Sequence, residues 1–154
     1  MRQWALPSMR QTATAPSVVE PPALRSSHGS AWLGLVPAKD KLASAKFFAE
    51  IFGLTVKPAQ GHFAQVQIND SLTFDFDEEP EPRTQHYAFH IGEAEFEAIF
   101  GRVKAQGLAY GSSPFDHTNG QFYTRRGGRG FYFQDPNGHL LEVMTVPETG
   151  SAPA

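Results

Sequence analysis

Apolar and polar positions along the chain change period several times, and each change predicts an element. The run Ala31-Trp-Leu-Gly-Leu-Val-Pro37 is short, apolar and closed by proline, which predicts a strand. Leu42, Ala45, Phe47, Phe48, Ile51 and Phe52 then recur at helical spacing, with Asp40 placed as N-cap and Gly53 as C-terminal stop. Three strand-like stretches follow: residues 54–57, 62–68 and 72–77, with Asn69-Asp70 as the turn between the last two. After a polar break containing Pro80 and Pro82, the order begins again. Residues 85–91 read as a strand, and residues 93–106 as a helix with Phe96, Ile99, Phe100 and Val103 inward. A short strand is expected between Gly107 and Gly111. Residues 127–143 then form two aromatic and aliphatic runs around Asp135-Pro136-Asn137-Gly138, a β-hairpin signature. Both halves therefore read as βαβββ, and the fold class expected is α+β: two such modules forming a curved mixed sheet around a cavity, with helices on the outer face.

Alternation along the strands assigns a face to each side chain. Tyr87, Phe89 and Ile91, Ala64, Val66 and Ile68, Leu72, Phe74 and Phe76, and Phe131, Phe133 and Val143 form the face expected against the helices. Gln65, Gln67, Asp75, His86, His90, Tyr132, Gln134 and Glu142 fall on the other. That set is too polar for a core and suits the wall of a site, because a buried carboxylate such as Glu142 needs a cation, a metal or a proton as partner. Two carboxylates and an imidazole brought from separate strands are a donor set for a divalent ion, with Fe, Mn, Zn, Ni and Co all compatible. His139 alternates onto the face opposite Glu142 and reads as a structural residue beside the turn.

Composition narrows the picture. The 154 residues suffice for one domain with a core, expected over residues 30–147 with modules at about 31–78 and 85–146, a disordered leader over 1–29 and a tail over 148–154. The leader carries Pro7, Pro16, Pro21 and Pro22 and no periodic apolar pattern. A formal charge of −3 gives no electrostatic reason to expect nucleic acid or a membrane surface as partner. Arg129-Gly130-Phe131-Tyr132-Phe133 superficially matches an RNA-stacking strand, but Tyr132 stands where that motif requires a small residue. Cysteine is absent, which removes disulfides, thiolate catalysis and Cys-ligated zinc, and a cytoplasmic location is expected. The long segment from Ser112 to Gly128 is expected to be a lid, in which Arg125 and Arg126 could grip an anionic substrate.

Residues 31 to 147 resemble the vicinal oxygen chelate superfamily, which contains glyoxalase I, extradiol dioxygenases, and bleomycin and fosfomycin resistance proteins. The resemblance rests on the paired modules, on Lys39-Asp40-Lys41 leading to Phe47-Phe48 and Phe52-Gly53-Leu54, on His86-Tyr87-Ala88-Phe89, and on the run from Gly130 to Glu142. It implies a glyoxalase-like or dioxygenase-like protein, a metal-dependent lyase or dioxygenase, that acts on a small oxygen-bearing substrate through divalent-metal chelation. By position it implies metal ligands at Asp75, His86 and Glu142; on the polar face and the lid read above, Glu142 and Tyr132 are then the catalytic candidates and Gln65, Gln67, His90, Gln134 and Arg125 the candidate substrate contacts. Leu33 stands where many relatives have a first-strand His, so His28, His90 or His117 would have to supply any further imidazole. The alternative is a metal-free protein that sequesters a small molecule, as bleomycin resistance proteins do. A homodimer is expected by the same analogy.

Overall fold

The computed structural model describes residues 32–58 and 61–145. The leader and the tail lie outside them. The described chain is α+β and divides into two compact units: residues up to 84 together with Asp135–Asn137, and residues 85–134 together with those from Gly138 onward.

The first unit contains β1 (Trp32–Ala38), α1 (Lys41–Phe52), β2 (Ala64–Asn69) and β3 (Leu72–Glu78). Its strands form a mixed sheet in the order β1-β3-β2, with β1 parallel and β2 antiparallel to β3. The helix starts and stops where the sequence predicts. Asp40 Oδ1 accepts from the Ala43 amide at 2.9 Å, and Gly53 ends the helix in the left-handed region at φ 69°, where a side chain would be strained. Phe48 and Phe52 stack at 4.3 Å, and Phe48 meets Phe74 and Phe76 of β3. Leu42, expected on the buried stripe, is exposed instead: the buried arc of α1 is formed by Ser44, Ala45, Phe48, Ala49, Ile51 and Phe52, and Leu42 falls outside it. Residues 54–57 also depart from expectation. They make a single bridge, Val56 to Val66, with the Lys57 amide donating to Gln65 O, and Pro58 has no N–H with which to continue a ladder. The turn residue Asn137 groups with this unit, accepting from the Lys39 amide and donating to Ser44 Oγ, each at 2.9 Å.

The second unit contains β4 (His86–Ile91), α2 (Glu93–Ala105), β5 (Tyr110–Gly111), β6 (Tyr123–Arg125), β7 (Gly128–Gln134) and β8 (Leu140–Thr145). The order is β4-β8-β7-β5, with β6 also on β7; β4 and β8 are parallel and the other pairs antiparallel. Phe96, Ile99 and Val103 of α2 are buried as predicted. Phe131 is fully buried and touches the rings of Phe96, Phe100, Tyr110, Phe122 and Phe133. Arg129 lies over the Phe96 ring and is paired with Glu93 and Glu97, so one guanidinium covers the aromatic cluster and ties β7 to α2. Within the segment read from the sequence as a lid, β6 is a strand that the sequence did not reveal.

Candidate active site

The register of the second unit fixes which side chains share a face. His86 pairs with Leu140, Ala88 with Glu142, and Tyr132 with Glu142, so His86, Glu142 and Tyr132 stand on one side of the sheet, with His90 and Gln134 on the same side. Tyr87, Phe89, Phe131, Phe133, Leu141 and Val143 take the other, as the alternation predicted.

Glu142 is buried and gathers the site around its carboxylate. The Tyr123 hydroxyl donates to Oε1 at 2.6 Å, and His86 Nε2 stands 3.0 Å from Oε2. Tyr132 is the cross-strand partner of Glu142, and its ring lies 5.6 Å from that of Tyr123 and 5.9 Å from His86. Both phenols are held well above the ordinary tyrosine range. Burial is the largest cause, hydrogen bonding to Glu142 and its negative charge add to it, and the nearby Arg125 charge opposes it. The two hydroxyls are therefore protonated donors throughout the neutral range.

This has a consequence for stability. The folded protein keeps both phenolic protons at pH values where an unfolded chain, with an ordinary phenol near pH 10, releases them. Their contribution to stability is thus complete below about pH 10 and is lost as pH rises beyond it. Denaturant midpoints measured from pH 9 to 11 are expected to fall, and the fall is expected to be shallower in Tyr123→Phe and Tyr132→Phe. Equal slopes in parent and variants would contradict the raised ionisation of these two phenols.

The other expected site residues are placed as follows. In the first unit Gln65 and Asp75 are register partners, and Gln65 Nε2 donates to Asp75 Oδ1 at 2.7 Å. Gln67 is exposed and donates to Asn69 O. Gln134 and Arg125 are exposed in the second unit. His139 is fully buried and its Nδ1 accepts from the Gln85 amide at 3.0 Å, a structural role consistent with its place beside the turn. Tyr123 was missed. Its sequence signal is Gly130, a glycine inside an aromatic strand: Tyr123 pairs with Gly130, and a Cβ there would come within 2.4 Å of the Tyr123 ring.

The two units correspond position by position. In the second, His86 pairs with Leu140, two residues before Glu142; in the first, Leu33 pairs with Thr73, two residues before Asp75. Leu33 is thus the first unit's counterpart of His86, and at 55% exposure it has room to be replaced. Leu33→His is expected to give the first unit a His and carboxylate pair in the same register and to raise Co or Ni affinity about tenfold, which requires only about 1.4 kcal/mol. Calorimetric titration checks this, and unchanged affinity in a folded variant would contradict the correspondence.

As to a metal, among the described residues no group of three or more His, Asp or Glu side chains is gathered as a metal site. Any fit rests on His86 and Glu142. Although 3.0 Å from the carboxylate, His86 Nε2 makes no hydrogen bond and is buried, so a ring nitrogen is left over beside a carboxylate oxygen. An imidazole nitrogen and a carboxylate oxygen at that separation are adjacent donors of the kind a divalent ion with bonds of about 2.0–2.2 Å requires. The pair fits such an ion.

Comparisons with known proteins bear on the fold and the family. The structure is similar to two proteins described as oxidases. For oxidase ChaP-H2 the identity is 40% and the TM-score 0.73, covering 81% of this chain and 99% of that one. For oxidase ChaP-H1 they are 41% and 0.72, covering 79% and 99%. A glyoxalase/dioxygenase from Nostoc punctiforme is 27% identical with a TM-score of 0.58, covering 86% of this chain and 98% of that one. None of the curated proteins matches. The model of the Glyoxalase/Bleomycin resistance protein/Dioxygenase superfamily matches residues 31–143, and the chain belongs to that superfamily.

Proposed function

We propose that the protein is a divalent-metal-dependent oxidase or dioxygenase that takes a small organic substrate through two adjacent oxygens, with dioxygen as the oxidant. The observation that carries this reading is the buried, unbonded His86 Nε2 beside Glu142 Oε2. The likeness to two oxidases over nearly their whole length favours oxidation over the lyase chemistry also expected for the superfamily.

His86 and Glu142 would hold the metal, which when bound would supply chelation of the substrate oxygens and electron transfer toward dioxygen. The protein's own contribution is a set of donors aimed at one place. Glu142 supplies negative charge fixed on two sides. Tyr132, protonated and on the same face, would turn its single hydroxyl proton from Glu142 to a substrate oxygen as charge develops there. Arg125, whose charge is felt by both phenols, offsets the charge of an anionic substrate at the edge of the site.

A second reading, a metal-free protein that sequesters a small ligand, is favoured by Leu33 at the position equivalent to His86. One experiment separates the two. Untagged protein is incubated anaerobically with Fe, Mn, Co, Ni or Zn and its melting temperature followed; dioxygen uptake is then measured with catechol as a probe vicinal diol. A metal at a hundredfold excess over Kd contributes about 2.7 kcal/mol, a shift of several degrees. Stabilisation with metal-dependent dioxygen uptake supports the oxidase. No stabilisation by any of the metals overturns it in favour of sequestration.

A further inference from the structure

We infer that Tyr123 is a positioning residue for Glu142, a role that rests on the reading of His86 and Glu142 as metal ligands. The strand β6 is three residues long, and what it delivers to the site is one hydroxyl. That hydroxyl occupies Oε1 at 2.6 Å, which leaves Oε2 as the oxygen beside His86 Nε2. A carboxylate whose two oxygens are thus distinguished presents one defined donor atom, whereas an unanchored glutamate samples several rotamers and either oxygen. The cradle for this contact is built into the opposing strand. Gly130 is buried and lacks the Cβ that would collide with Cζ and the hydroxyl of Tyr123, so β7 gives up a side chain where the ring must lie. The Tyr132 ring, 5.6 Å away, flanks it. A phenol in a short strand, a glycine opposite it and a carboxylate at its tip are together more specific than a loop aromatic filling space.

The test is Tyr123→Phe, which keeps the ring over Gly130 and removes only the hydroxyl, with Co(II) as the probe. The expected result is a ten- to hundredfold rise in Kd for Co(II), the range typical for loss of a partner that orients a ligand, with a changed visible spectrum of the bound ion. The metal-free melting temperature is expected to move by only a few degrees. A purely structural tyrosine would move the melting temperature and leave the Co(II) spectrum alone. His86→Ala and Glu142→Gln are measured alongside. If they abolish Co(II) binding while Tyr123→Phe binds with the parent's affinity and spectrum, the positioning role is overturned and the ligand assignment stands. If His86→Ala and Glu142→Gln bind Co(II) as the parent does, the ligand assignment falls and the positioning role with it.

Discussion

Glu142→Gln is expected to lower divalent-metal affinity by more than a hundredfold and to remove oxidative turnover. Partners that merely orient a ligand cost about 10–100-fold, and here the charge-bearing donor itself is neutralised. The amide keeps the size of the side chain, so the fold survives and the effect is chemical. At the same time Tyr123 and Tyr132 lose the negative charge that helps hold their protons, and their ionisation should move down toward the ordinary tyrosine range. Metal titration and phenolate absorbance on one sample check both halves. Undiminished metal affinity together with unmoved phenol titration would show that Glu142 is not the hub.

The second large effect is on stability. Phe131 is fully buried on the face of β7 opposite Tyr132, among five other aromatic rings contributed by α2, β5, β7 and the segment before β6. Phe131→Ala removes the ring at the centre of the cluster and leaves a cavity that fixed neighbours cannot fill, at a cost of about 3–5 kcal/mol. Domains of this size have only about 5–15 kcal/mol in all, so the variant is expected to be partly unfolded near 40 °C. Denaturant unfolding measures it, and a loss below about 1 kcal/mol would mean that the cluster repacks.

These two residues illustrate what could be read from the chain. Alternation alone put Phe131 and Tyr132 on opposite faces, because period two in a strand bounded by Asp-Pro-Asn-Gly leaves little choice of register. The same logic separated His139 from Glu142 and grouped His86 with Glu142. Helix limits were legible at Asp40 and Gly53 because capping is local chemistry. What failed was whatever depended on partners distant in sequence. Residues 54–57 have strand composition, yet only Val56 finds a bridge, since Pro58 cuts the ladder. Leu42 fitted the helical period but fell outside the arc that the sheet covers. Tyr123 was invisible because three residues are too few to show alternation, and its importance comes from Gly130, across the ladder and seven positions on. The hydroxyl on Glu142 is a tertiary fact. No spacing within the segment from Ser112 to Gly128 announces it.

The central claim, that His86 and Glu142 are the two ligands this unit gives to a divalent ion, is tested most directly by X-ray absorption at the iron edge. The spectra compared are those of anaerobically Fe(II)-loaded parent and His86→Ala protein. The parent is expected to show the outer-shell scattering of imidazole together with a nitrogen and oxygen first shell, and His86→Ala to lose that scattering or to bind no iron. Iron held by the parent with no imidazole signal, or a spectrum identical in the two proteins, would contradict the account.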